Sequence, residues 1–209
     1  MLLLYDGKKE DINMFKNILI TGPGRAGKTT LSKLINKKFG YSINSIDEVI
    51  TALGSIPEFG INYKTDSSIV SKKMSPFIIK FIEELSEGNK FYDNCKTVIE
   101  GTDIDLDLVL PHIDQSKTLI IGLTYNTLNE KELYQKIKKY DTEDDWTYWC
   151  NEEELRDYCR KFIERNKYFN EKFEQYNILS FDTSNNREEV LNNILSSLED
   201  LTKWEEKHK

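Results

Sequence analysis

The chain has 209 residues, 38% hydrophobic and 11% aromatic, which is enough to bury the core of one α/β domain. A net charge of -7 and a pI near 5.1 argue against non-specific nucleic-acid binding, which depends on lysine and arginine meeting phosphates. Three cysteines without a C-x-x-C pair, only two histidines, and no run near the ~18 apolar residues of a membrane span argue against Cys/His zinc ligation and a transmembrane helix. They fit reduced thiols in a cytoplasmic protein.

Residues 1–15 read as either a leader or an edge strand. Their apolar start is too short for a signal-peptide core, and Asp6-Gly7 marks a turn. Ile18-Leu19-Ile20 then reads as a buried strand, followed by Gly22-Pro23-Gly24-Arg25-Ala26-Gly27-Lys28-Thr29, a full match to the phosphate-binding pattern G-x-x-x-x-G-K-[ST]. Leu31, Leu34 and Ile35 give the next segment an apolar helical face, so the motif lies between strand and helix, as it must. The glycines allow close backbone approach, and the amides of residues 22–30, through Thr30, converge on phosphate oxygens at the helix N-terminus. Lys28 is the expected contact to the β- and γ-phosphates, and Thr29 the hydroxyl ligand of Mg²⁺.

That helix is expected to end near Lys38, before Gly40. Residues 41–46 alternate as a second strand, with Asp47-Glu48 at its end and a short helix behind, which Asp47 could cap. Residues 54–65, with Pro57 and Gly60, read as a loop; residues 66–88 favour helix, bent or restarted at Pro76. Residues 97–101 form a third buried strand that ends on Glu100 and Gly101, and residues 118–123 a fourth. Thr127 and Glu130 fit a capping box, opening a helix to about Lys139. Residues 140–150 lack periodicity and make the lid candidate, with Trp146 and Trp149 either anchoring it in the core or stacking on a ligand. Asn151, followed by three glutamates, starts a long helix. Residues 178–181 make a fifth strand ending on Asp182-Thr183, and a helix from about Arg187 to Trp204 closes the chain. Strands alternating with helices imply parallel pairing in a doubly wound sheet, with residues 1–209 as a single domain.

Four stretches together resemble the P-loop kinases of nucleoside-monophosphate-kinase type, a group that includes adenylate kinase, shikimate kinase, chloramphenicol phosphotransferase, zeta toxins and 2-phosphoglycerate kinase. They are GPGRAGKT at 22–29, SIDEV at 45–49, VIEGT at 98–102 and FDTSNN at 181–186. The resemblance implies a three-layer αβα fold, a five-stranded parallel sheet ordered 2-3-1-4-5 with a small lid, and transfer of the γ-phosphoryl of Mg-ATP to a small-molecule acceptor. It implies that Asp47 contacts the acceptor hydroxyl, that Glu100 holds Mg²⁺ and faces the acceptor with Gly101, and that Asp182 and Thr183 pass the adenine. Asp103 lines the same pocket or is a loop charge.

The group brings lid arginines onto the transferring phosphates. Residues 140–150 contain no arginine; the nearest are Arg156, Arg160 and Arg165 on the next helix, where Arg156 and Arg160 share a face that either reaches the phosphates or is a solvated helix face, with Arg25 and Lys138-Lys139 as further sources of charge. A nucleoside-monophosphate acceptor needs arginines in its binding region. Residues 55–87 have none, so a hydroxyl acceptor is expected, and any acceptor phosphate would fall to Lys64, Lys72 or Lys73. The alternative is a regulatory ATPase acting through a protein partner. Asn89-Lys90-Phe91-Tyr92-Asp93 misses the guanine-site pattern N-K-x-D by one residue. No membrane or nucleic-acid partner is expected, and the oligomeric state is monomer or homodimer.

Overall fold

A computed structural model describes residues 15–62, 64–87 and 95–206, with side chains as far as residue 200. The expected leader or edge strand at 1–14 and the Asn89–Asp93 stretch lie outside the described residues.

The described elements are β1 (Asn17–Thr21), α1 (Lys28–Phe39), β2 (Ser42–Ser45), α2 (Ile46–Gly54), α3 (Ser67–Glu87), β3 (Thr97–Gly101), α4 (Leu106–Val109), β4 (Thr118–Thr124), α5 (Glu130–Tyr140), α6 (Glu152–Gln175), β5 (Leu179–Asp182) and α7 (Arg187–Glu206). All strand pairs are parallel and the order is β2-β3-β1-β4-β5, as the resemblance implied. β1 is central and wholly buried, so it reads as a continuous apolar run rather than an alternating one.

Alternate β1 side chains feed two cores. Ile18 and Ile20 pack with Leu31, Ile35, Leu133 and Leu191, whereas Leu19 packs on the opposite layer with Met74, Ile78 and Ile99. The register aligns Thr21 with Gly101 and Gly122, and Ser45 with Glu100. The carboxyl ends of β1, β2 and β3 therefore lie level. Helix α6 joins both layers, with Leu155 and Cys159 in one core and Phe169 and Phe173 in the other. Its middle turns lie between them.

Three local expectations are corrected. Helix α2 begins at Ile46 with Ser45 as its cap, whose Oγ accepts from the Glu48 amide at 3.3 Å; Asp47 sits in the first turn and caps nothing. Helix α3 runs unbroken through Pro76. The capping box before α5 uses Asn129 and Glu132, which bond each other's backbone N–H at 3.0 and 2.9 Å. Thr127 is held elsewhere, its amide donating to Ser184 Oγ at 2.9 Å. Asn151 caps α6 as expected, and Glu154 completes a capping box with it.

Candidate active site

The phosphate loop is held from outside by its carbonyls. The Tyr125 hydroxyl lies 3.0 Å from Gly24 O and 3.2 Å from Phe162 O, and Thr183 Oγ1 donates to Ala26 O at 3.1 Å. Phe162 of α6 fills the space beside Gly24, where a Cβ would come within 2.4 Å of its ring. These contacts fix the loop between β1 and α1 and bring the middle of α6 onto it.

Beyond the loop, side chains from three helices, α1, α2 and α6, meet on one residue, Thr102, just past the end of β3. Lys28 Nζ donates to Thr102 Oγ1 at 2.8 Å and to Pro23 O at 3.0 Å. Asp47, from α2, accepts the Thr102 N–H at 3.0 Å through Oδ1, while its Oδ2 lies 3.5 Å from the Thr102 hydroxyl. Arg165, from α6, donates through Nη2 to Thr102 O at 3.3 Å. Thr29 Oγ1 donates to Glu100 Oε1 at 3.3 Å, and the Ser67 hydroxyl donates to Asp103. Thr102 was visible only as the last letter of VIEGT, and no side-chain chemistry singled it out.

The charges are strongly coupled. Burial pushes the Lys28 ammonium below the ordinary lysine value; Asp47, Glu100 and Asp103 pull it back up, and Arg165 adds to the lowering. Burial raises Glu100 above the ordinary carboxylate range, with Asp47 repelling it further and Lys28 opposing. Asp103 is likewise raised by burial, against the Ser67 hydrogen bond. Glu100 is only 3% exposed, and its Oε2 is buried with no hydrogen-bond partner. An orphaned carboxylate oxygen beside a threonine hydroxyl fits Mg²⁺, which takes one or two protein oxygens and completes its shell with phosphate and water. Among the described residues there is no cluster of three or more ligating side chains, so a self-sufficient metal cage is absent.

A measurable consequence concerns stability. With its pKa raised, native Glu100 keeps a proton that the unfolded chain has already released. The nucleotide-free protein therefore loses stability as pH rises from the ordinary glutamate value through the raised one. Glu100→Gln removes that burial cost. It is expected to raise the melting temperature at pH 7 by about 2–4 °C in calorimetry without nucleotide, the equivalent of ~1 kcal/mol in a chain of this size. An unchanged or lower melting temperature would contradict a costly buried carboxylate.

The expected arginines are placed differently. Arg156 pairs with Glu152 at 2.7 Å and lies over the Tyr134 ring; Arg160 pairs with Asp157, and both guanidinium groups are exposed. The arginine whose charge acts on Lys28 is Arg165. Helical phase explains this: Arg156 and Arg160 share an outer face, and Arg165 is rotated roughly 140° from Arg160 at 100° per residue.

Arg25 faces residues 140–150, the segment expected as a lid. It adopts left-handed backbone (φ 67°), and its guanidinium pairs with Asp145 at 2.6 Å and with Asp141, to which Thr147 also donates. Trp146, 52% exposed, packs edge-on against Tyr158 and Phe162; Trp149, 70% exposed, does not reach the core, contrary to the anchoring reading. A cavity of about 840 Å³ opens beside this latch, bounded by Arg25, Tyr125, Tyr140, Thr183, Asn186 and Arg187. Thr183 thus lies on the cavity wall. Asp182 shapes the turn instead, accepting from the amides of Asn126 and Ser184.

Gly101 serves Asp47. A Cβ there would stand 2.8 Å from Ile46 Cβ and 3.3 Å from Asp47 Oδ1, so the space expected for the acceptor is taken by α2. Gly101→Ala is expected to displace Asp47 and lower kcat about 10-fold or more, leaving the Kd of a non-hydrolysable ATP analogue unchanged. A matching loss of nucleotide affinity would show that the damage is general.

No family model matches the chain. A cytidylate kinase of Mycoplasmopsis synoviae is 27% identical over an alignment of 185 positions that takes in 61% of this chain and 81% of the relative. Among solved structures, a shikimate kinase from Bacteroides thetaiotaomicron superposes with a TM-score of 0.55 at 16% identity, covering 90% of this chain and 98% of that one. A gluconokinase from Sinorhizobium meliloti gives 0.56 at 13% identity, covering 90% and 93%. Those two likenesses establish the fold. No helix among the described residues is long and apolar enough to cross a membrane.

Proposed function

We propose that this P-loop kinase of the nucleoside-monophosphate-kinase-like group moves the γ-phosphoryl of ATP to a hydroxyl of a small-molecule acceptor. The observation that carries the reading is the meeting of Lys28 and Asp47 on opposite groups of Thr102. It puts a phosphate-binding cation and a proton-accepting carboxylate one residue apart, at the level carboxyl ends of β1, β2 and β3.

In this reading the loop at 22–30 cradles the donor phosphates, Lys28 holds the β- and γ-oxygens, and the nucleoside lies in the cavity walled by Thr183. Thr29 and Glu100 would hold Mg²⁺, which when bound neutralises phosphate charge. Asp47 orients the acceptor hydroxyl. The oxygen attacks the γ-phosphorus, the bond from that phosphorus to the β-phosphate oxygen breaks, ADP departs, and the hydroxyl proton passes to the Asp47 carboxylate. Residues 140–150, latched through Arg25, form the lid of a single catalytic domain. The described cysteines are free thiols and suit the cytoplasm, where the protein acts as a monomer or homodimer.

A second acceptor class is favoured by the relative named cytidylate kinase: a nucleoside monophosphate. ADP release from Mg-ATP, followed against polyols, hydroxy acids, sugars, aminoglycosides and cytidylate, tests both. Acceptor-stimulated release that depends on Asp47 supports the hydroxyl reading. Efficient turnover of cytidylate alone would replace it with the nucleotide reading. Slow hydrolysis indifferent to every acceptor and to Asp47→Asn would make the protein a regulatory ATPase.

A further inference from the structure

The hydroxyl of Thr102 stands where the chemistry of the site calls for a nucleophile. Its Oγ1 accepts from the Lys28 ammonium at 2.8 Å, and Asp47 Oδ2 lies 3.5 Å from it. A cation that holds phosphate and a carboxylate that takes a proton are the two groups between which a hydroxyl is phosphorylated. Two other hydroxyls beside the loop are turned to carboxylates alone. Thr29 donates to Glu100 at 3.3 Å, and Ser67 donates to Asp103.

Thr102 is also held in place. Its N–H donates to Asp47 Oδ1 at 3.0 Å, which ties it to α2, and its C=O accepts from Arg165 at 3.3 Å, which ties it to α6. The residue is half-buried, so the hydroxyl is open to the site. An ammonium has three N–H donors, and Pro23 O and Thr102 Oγ1 take two of those on Lys28. A phosphate oxygen that accepts the third shares the ammonium with Oγ1, and two such oxygens lie within about 5 Å of each other. Attack on phosphorus begins from about 3–3.5 Å, a distance that rotation of the threonine side chain can close.

We propose that Thr102 is a self-phosphorylation site, at which the chain transfers the γ-phosphoryl of its own bound ATP when no small-molecule acceptor is in place. The donor rests on the phosphotransferase reading. Oγ1 attacks the γ-phosphorus and a P–O bond forms to the threonine. The bond to the β-phosphate oxygen breaks with its electron pair left on ADP, and the hydroxyl proton passes to Asp47 Oδ2. The products are ADP and phosphothreonine. The new group carries about −1.5 to −2 charge. It stands among Asp47, Glu100 and Asp103, the carboxylates whose charges reach Lys28. Lys28, already in contact with Oγ1, becomes its counter-ion and is withdrawn from the nucleotide. A chain that idles without acceptor thereby closes its own donor site.

The full chain, incubated with Mg²⁺ and ATP and no added acceptor, is followed by intact-mass spectrometry and peptide fragmentation. One phosphoryl group per chain is expected, located on Thr102. Its rate of appearance should be independent of protein concentration, because nucleophile and bound donor belong to one chain. Thr102→Ser should still be modified, Thr102→Val should not, and Asp47→Asn should slow the transfer about 10²-fold or more. The phosphorylated chain should bind a non-hydrolysable ATP analogue about 10-fold or more weakly than the unmodified chain. An unmodified Thr102, phosphate on another residue, or a rate that climbs with protein concentration would overturn the inference, and an unchanged affinity would overturn the self-inhibition. Phosphorylation of an added acceptor with Thr102 unmodified even in its absence would sink the inference and leave the phosphotransferase reading standing. Phosphothreonine at 102 in a chain that turns over no small molecule would do the reverse, establishing self-transfer and removing the small-molecule acceptor.

Discussion

Asp47→Asn is expected to lower kcat for acceptor phosphorylation by about 10²–10⁴-fold, with little change in folding stability. The substitution keeps the shape of the side chain. Its remaining carbonyl oxygen can still accept the Thr102 N–H that Asp47 Oδ1 accepts at 3.0 Å, so α2 stays docked against β3. What disappears is the carboxylate that the proposed mechanism uses as proton acceptor. The variant has a second signature, because Asp47 is the first of the charges that hold up the Lys28 pKa against burial. Without it Lys28 loses its proton more readily, and the alkaline limb of donor binding should move to lower pH than in the parent. A pH series of Kd for an ATP analogue reads that shift, and steady-state ADP release reads kcat. Retention of more than about a tenth of kcat would remove Asp47 from the chemistry.

Lys28→Ala is expected to reduce phosphoryl transfer by about 10²–10³-fold and to weaken ATP-analogue binding as well. Lys28 is only 6% exposed, so its ammonium faces the site and not bulk water. The loss of charge also has a structural sign. In the folded chain the lysine pKa lies below its unfolded value of 10.5, so between those two values the unfolded state holds more protons and stability rises with pH. The alanine variant should lose that alkaline rise and be at least as stable as the parent at pH 7 without nucleotide. Calorimetry at pH 7 and pH 10 checks it. A strongly destabilised variant would mean that Lys28 mainly braces Pro23 and Thr102, and that its loss of activity reports loop collapse.

Arg25 offers a smaller effect. Asp145→Asn weakens the pair at 2.6 Å but leaves Asp141, so the segment 140–150, proposed as the lid, should loosen without detaching. Hydrogen exchange across residues 140–150 is expected to speed up in the nucleotide-free protein, with the core strands unaffected. Unchanged exchange would show that packing of Trp146 on Phe162, and not the ion pair, holds the lid.

The sequence by itself determined the elements, because each rests on interactions within a few residues of itself. Apolar runs marked β1, β3 and β4, the phosphate pattern marked the turn into α1, and Asn151 with Glu154 marked the start of α6. Strand-end acids Asp47 and Glu100 were visible because parallel strands place their carboxyl ends on one edge. Cap positions were less legible. The sequence pointed to Asp47 for α2 and Thr127 for α5, whereas Ser45 and Asn129 cap them, and the Thr127 amide is engaged by Ser184, 57 residues away.

Tertiary structure alone decided which charges share a space. Arg165 and Thr102 are 63 residues apart, and Arg25 and Asp141 are 116. Helical periodicity placed Arg156, Arg160 and Arg165 on one helix but could not say which face of α6 would meet Thr102. That depended on α6 joining both cores, with Phe162 against Gly24 and Asn166 Oδ1 accepting the Tyr125 N–H at 3.0 Å. Local preferences act over one or two turns of chain, whereas the phase of a long helix over a sheet edge is set by packing at both of its ends.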